Sequence, residues 1–265
     1  MTDLSRRPAH LRGVIFDMDG VIVDSEPLSL LTIAEVVAER GGQADPASFG
    51  DLVGRSLDDA LTLAAARSGR DLAVNDLRRA YDERYLPKLR DTAVPNAGLR
   101  GLIAALSDAG IPMALASSSR LAEIGAIVTA LGLGNVLAAI ASGEEVSRPK
   151  PAPDVYLLAM RRLGLGPAGV IAIEDSASGV AAAIAAGLAC VAVRTMLTTG
   201  HDHGAAALTV DSLTELDLQV LDRIAAGASG GSAVAGGPAT DSRARTGLSP
   251  LGSASFDDGV ASAGH

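Results

Sequence analysis

A chain of 265 residues is long enough for one large domain or two modest ones, and a hydrophobic content of 48% fills a sizeable core. That core is aliphatic, with three Phe, three Tyr and no Trp, which excludes an aromatic platform for nucleic acid. A formal charge of −9 excludes a duplex binder as well, because such a protein needs a basic face to displace counterions.

Read from the amino terminus, Arg6-Arg7 precedes an apolar run that is short and soon meets Asp17 and Asp19, unlike a signal segment. No apolar span approaches membrane length, so the expected setting is cytoplasmic, with no membrane partner. The run Val14-Ile15-Phe16 delivers Asp17 and Asp19, one residue apart, into a turn at Gly20. Continuous hydrophobics mark a parallel strand buried on both faces, and in open α/β sheets ligands sit beyond the carboxyl ends of the strands. Alternation points both carboxylates to one side, where they repel unless a cation or a shared proton intervenes. Mg²⁺ takes oxygen ligands and would draw in a phosphate, whereas the competing role is a strand-ending Asp that caps the next segment.

From Pro27 to Val94 apolar residues recur at helical spacing (Leu28, Leu31, Ala34, Val37, then Leu57, Ala60, Leu61, Ala64), which predicts an all-helical insertion of three or four helices. Arg79, Arg84 and Lys88 read as a solvated helix face. From Pro95 helices and strands alternate: helix Leu99–Ala109, strand Pro112–Ser117, helix Leu121–Leu131 and a short strand near Leu137–Ala141. Helix Asp154–Leu163, strand Val170–Glu174, helix Gly179–Ala186, strand Ala189–Val193 and a last helix near Leu213–Ile224 complete the series. Cys190, the single cysteine, excludes an intrachain disulfide and reads as a small core residue. Such repeated βα units imply an α/β fold, a Rossmann-like parallel sheet flanked by helices, with the helical block inserted after the first strand. Beyond Ala226 the chain turns to Gly, Ser and Ala without periodicity, so residues 226–265 are expected to be a disordered tail.

Three further segments bring polar groups to the edge that carries Asp17. Met113-Ala114-Leu115-Ala116 ends in Ser117-Ser118-Ser119-Arg120, Lys150 lies between Pro149 and Pro151, and Val170-Ile171-Ala172-Ile173 ends in Glu174-Asp175-Ser176. A plain helix cap is the alternative role for Ser117, Asp175 and Ser176, and a surface position for Lys150.

The ordered set closely resembles the haloacid dehalogenase superfamily, in the subgroup with β-phosphoglucomutase and many sugar-phosphate phosphatases. The resemblance spans roughly residues 12–217. It rests on Asp17-Met18-Asp19-Gly20-Val21, on Ser117, on Lys150 within Lys150-Pro151-Ala152-Pro153-Asp154, and on Glu174-Asp175-Ser176 with Gly179.

The resemblance implies a discontinuous α/β core (1–26 and 95–225) and a mobile helical cap (27–94) that closes over the site. It implies that Asp17 attacks phosphorus to form an aspartyl-phosphate, and that Asp19 is the general acid and base, its backbone carbonyl facing the metal. Mg²⁺ would be held by Asp17, Asp19, Glu174 and Asp175, directly or through water. Ser117 and Lys150 would stabilise the transferring phosphoryl group, and Gly20, Ser118 and Arg55 would line the substrate.

The implied activity is a Mg²⁺-dependent phosphatase of a small phosphorylated metabolite, a sugar phosphate in the first instance, acting as a monomer or dimer. A hexose-phosphate mutase is the alternative, and a non-catalytic protein on the same fold is a more distant one. Aligning on Asp17 and Asp24 puts Ser29 where β-phosphoglucomutase has a histidine that helps exclude water. None of His10, His201, His203 and His265 is expected near the site, which favours hydrolysis.

Overall fold

The computed structural model describes residues 8–45, 49, 51–52, 56–195, 198, 200 and 202–230. All of them fall within one unit spanning residues 1–232.

Short aliphatic runs form the strands because their side chains are buried on both faces. β1 (Gly13–Phe16), β2 (Met113–Ser117) and β4 (Val170–Glu174) are buried at every position. With β3 (Leu137–Ser142), β5 (Ala189–Val193) and β6 (Leu208–Val210) they make a six-stranded sheet in the order β3-β2-β1-β4-β5-β6. Every pairing is parallel. β1 lies at the centre, with β2 on one side and β4 on the other, so the ends that carry Asp17, Ser117 and Glu174 are neighbours.

Alternation along β1 divides the core. Val14 and Phe16 join a cluster that runs from one sheet face into the helical insertion, where it takes in Ile33, Leu61 and Leu77. Ile15 joins Ala114, Ala172 and Tyr156 on the opposite face.

The insertion contains three α-helices among the described residues: α1 (Glu26–Ala38), α2 (Leu57–Arg67) and α3 (Val74–Thr92). Pro27 sits at the start of α1, where a missing N–H is harmless, and Ser56 caps α2 by accepting from the Asp59 amide. The chain leaves the sheet after Val23 and returns at Pro95, and the two crossings lie side by side in an antiparallel bridge. Asn96 ties them together: its amide donates to the Ile22 carbonyl at 2.9 Å, and Nδ2 donates to the Gly20 and Val21 carbonyls at 2.8 and 3.1 Å.

The remaining helices are α4 (Leu99–Asp108), α5 (Leu121–Leu131), α6 (Asp154–Leu163), α7 (Ala177–Ala185) and α8 (Leu218–Gly230). Two expectations at the carboxyl end need correction. The helix predicted near Leu213–Ile224 is a 3-10 turn over Leu213–Glu215, capped by Ser212, followed by α8. The Asp217 carboxylate, accepting from the Val220 amide at 2.8 Å, starts α8 afresh. Helix α8 also passes the predicted tail boundary at 226 and runs to Gly230, because burial of Leu221 and Ala225 anchors it; the rest of the predicted tail lies outside the described residues.

Candidate active site

The site forms where β1, β2 and β4 end. Asp17 still belongs to the ladder, its amide donating to the Ile173 carbonyl at 2.9 Å, and its side chain is buried. The chain then turns tightly, with the Gly20 amide on the Val23 carbonyl at 2.7 Å. Gly20 adopts φ +79°, and a Cβ there would stand 2.1 Å from Asp175 Oδ2, so only glycine lets the two loops approach this closely.

Lys150 is the hub. Its ammonium donates to Asp17 Oδ1 at 2.5 Å, to Glu174 Oε1 at 2.6 Å and to the Ala116 carbonyl at 3.2 Å. It also lies 5.0 Å from the centroid of the Tyr156 ring, whose hydroxyl donates to the same Glu174 oxygen at 2.9 Å. The other Glu174 oxygen accepts from the amides of Asp175 and Ser176 and from the Ser176 hydroxyl at 3.0–3.1 Å. Gly179 makes room for this carboxylate, since a Cβ at 179 would fall 1.8 Å from Glu174 Oε1.

Oxygens of Asp17, Glu174 and Asp175 lie within 4.8 Å of one another, and all three residues are buried. Three carboxylates against one ammonium leave an excess of negative charge in a dry place, and the acidities reflect it. Burial pushes Asp17 up, Lys150 pulls it back, and Glu174 and Asp19 push further, leaving it at about 8. Burial, then Asp17 and Glu174, raise Asp175 to about 9. Glu174 is buried too, yet Lys150 and its many donors outweigh desolvation and hold it below the ordinary carboxylate range. An all-oxygen set that strains towards protonation fits a hard divalent cation.

Asp19 stands apart from this trio. Its carboxylate accepts from the hydroxyls of Ser25 and Ser119, the latter at 2.6 Å. Asp17, Asp19, Gly20, Lys150 and Asp175 all open onto a cleft of about 610 Å³, whose far wall includes Ser29, Asp58, Arg78 and Tyr81 from the helical insertion.

The family model for haloacid dehalogenase-like hydrolases matches residues 14–193, which takes in every one of these groups. The chain belongs to this family. It is 31% identical to Protein CbbY of Rhodobacter capsulatus over 225 residues, covering 81% of this chain and 99% of that one. It is 30% identical to hexitol phosphatase B of Escherichia coli over 191 residues, covering 70% and 85% respectively. Among solved structures, CbbY of Rhodobacter sphaeroides in complex with xylulose-(1,5)bisphosphate superposes with a TM-score of 0.69 at 28% identity, over 78% of this chain and 96% of that one. The chain is therefore an enzyme, a phosphatase of the haloacid dehalogenase superfamily.

In this haloacid dehalogenase-like hydrolase the residues singled out from sequence have different fates. Asp17, Lys150, Glu174 and Asp175 converge. The helix that follows β4 is capped by Ser176, which accepts from the Gly179 amide at 3.0 Å, so Asp175 has no capping duty. Ser117 is wholly buried and its hydroxyl accepts from the Ser119 amide at 2.9 Å; Ser118 lines the cleft. Arg55 lies outside the described residues. Arg79, Arg84 and Lys88 pair with Asp76, Glu39 and Glu35 on the surface, as a solvated face predicts.

One expectation fails: a histidine does lie at the site. His203 is buried and its Nε2 is 2.7 Å from the Asp175 carbonyl. It sits beneath the Asp175 loop, not at the Ser29 position, where the Ser29 hydroxyl lies 2.9 Å from that of Tyr81. Tyr156 was equally unforeseen, although a tyrosine on an apolar helix face signals a buried hydroxyl that must find a partner. No comparable signal marks His203, since its partner is a backbone atom.

Proposed function

We propose that the chain is a Mg²⁺-dependent phosphatase acting on a small phosphorylated metabolite, a sugar or polyol phosphate, through an aspartyl-phosphate on Asp17. The observation that carries this reading is the buried meeting of Asp17, Glu174 and Asp175 around one lysine. Asp17 and Asp175, with the Asp19 carbonyl, would hold the cation, and Glu174, whose oxygens already accept several protein donors, would act on it from behind. When bound, Mg²⁺ supplies charge neutralisation between the nucleophile and the phosphoryl oxygens.

The protein groups divide the remaining work. Asp17 attacks phosphorus as the ester oxygen leaves, and Asp19 gives that oxygen its proton. Ser25 and Ser119 fix the Asp19 carboxyl in a stable orientation for this transfer. Asp19, now ionised, takes a proton from water as that water attacks phosphorus, the Asp17–phosphorus bond breaks and phosphate departs. Lys150 holds charge on the nucleophile and the phosphoryl group, and the Ser117 hydroxyl with the amides at Ser118 receives phosphoryl oxygens. Helices α1–α3 act as the cap over this cleft and read the non-phosphate part of the substrate.

Phosphate release from a panel of small phosphate esters with Mg²⁺ tests the reading, with β-glucose 1-phosphate also followed for isomerisation. Release should exceed isomerisation, and Asp17→Asn should lower kcat by about 10³-fold or more. Isomerisation to glucose 6-phosphate outpacing release would make the chain a mutase. Intact release by Asp17→Asn would remove the nucleophile from the mechanism.

A further inference from the structure

We infer that His203 is a positioning residue for metal binding: it fixes the peptide that aims the Asp175 carboxylate at the cation. The inference rests on the metal reading of Asp17, Glu174 and Asp175, and adds a residue from outside them. Among the described residues no donor reaches the Asp175 carboxylate, whereas Lys150 donates to both Asp17 and Glu174. The direction of the Asp175 side chain is therefore set by its own main chain and by packing against Gly20, where a Cβ would stand 2.1 Å from Oδ2. Whatever holds that stretch of main chain holds the ligand.

It is held from two sides. The amides of Asp175 and Ser176 donate to Glu174 Oε2 at 3.0 and 3.1 Å, and the Asp175 carbonyl lies 2.7 Å from His203 Nε2. The peptide joining residues 175 and 176 is thus clamped through its N–H by a neighbouring side chain, and through its C=O by one 28 residues along the chain. A carbonyl only accepts, so Nε2 carries the proton in this pair, and a neutral imidazole suffices. His203 is buried, and its turn is anchored in turn. The Gly204 amide donates to Asp202 Oδ1, the Ala206 amide to the His203 carbonyl and the Ala207 amide to the Cys190 carbonyl on β5, each at 2.8 Å. Because β5 pairs with β4 on one side and with β6 on the other, this turn comes to rest against the Asp175 loop. Groups that orient a metal ligand from behind are commonly worth about 10–100-fold in metal affinity.

The test titrates Mg²⁺ alone into the metal-free full chain, by calorimetry and by the gain in Tm. It compares His203→Phe, which keeps a ring and removes the donor, with His203→Gln, which restores an N–H. His203→Phe should raise the Mg²⁺ dissociation constant by about tenfold or more, and His203→Gln should recover most of that loss. In phosphate release, His203→Phe should need more Mg²⁺ for half its maximal rate, while kcat at saturating Mg²⁺ stays near that of the unaltered enzyme. A purely structural role would lower the metal-free Tm of His203→Phe and leave its Mg²⁺ constant unmoved. That result overturns the proposal, as does a His203→Gln protein that binds no better than His203→Phe. His203→Leu makes the same comparison if His203→Phe does not fold. Asp175→Asn tells the two readings apart, since its Mg²⁺ binding should fall further still. If it binds as tightly as the unaltered protein, the metal reading itself fails and the proposal falls with it.

Discussion

The sheet edge and the outer surface of the helical insertion use the same residue types in opposite physical regimes. At the sheet edge Lys150, Asp17 and Glu174 have side chains 5%, 9% and 0% exposed, so each charge is felt by its neighbours at nearly full strength. On the helical block Arg84 and Glu39 are 35% and 46% exposed, and water screens their attraction. A buried charge cluster is poised for chemistry because it is dissatisfied; an exposed one keeps a surface soluble. Burial, more than residue identity, separates the two.

The largest effect should come from removing the hub. Lys150→Met leaves Asp17 and Glu174 without their cation, and stability should fall by about 3–5 kcal/mol, with phosphate release lost. A denaturation midpoint close to that of the unaltered protein would show that the cluster is less desolvated than the comparison requires.

A pH series without metal probes the same contrast at intermediate strength. Asp17 and Asp175 keep their protons to about 8 and about 9 in the fold, against an ordinary 3.8. The native state therefore binds more protons than the unfolded chain between those values, and stability of the metal-free protein should decline as pH rises through that window. Mg²⁺ held by the trio as proposed would compete with those protons, so the rise in Tm on adding it should grow with pH and shrink under acid conditions. A Mg²⁺ effect that is flat in pH would break the link between the trio and the ion. At the small end, Arg84→Ala should change stability by about 0.5 kcal/mol or less in a chemical melt.

Much of this was legible in the chain because parallel strands buried on both faces leave uninterrupted aliphatic runs. Where such a run stops at Asp17, Ser117 or Glu174, the sheet edge can be placed without coordinates. What escaped has physical reasons too. β6 is a three-residue edge strand, too short for any periodicity, and the turn over Leu213–Glu215 shares its apolar spacing with a helix. Tyr156 and His203 act through Glu174 and the Asp175 carbonyl, contacts between segments far apart in the chain that no local pattern encodes. Ser119 holds Asp19 across 100 residues for the same reason.

The clip at Asn96 has a consequence for how such a chain is assembled. Because Val23 and Pro95 are neighbours, the whole helical insertion is a loop whose ends already touch. Closing a flexible loop of twice the length adds only about 0.6 kcal/mol of entropy cost, so the sheet is nearly indifferent to how much chain hangs from that point. The catalytic floor can keep its architecture while the lobe above it is lengthened, trimmed or exchanged, and new substrates can be reached without refounding the enzyme.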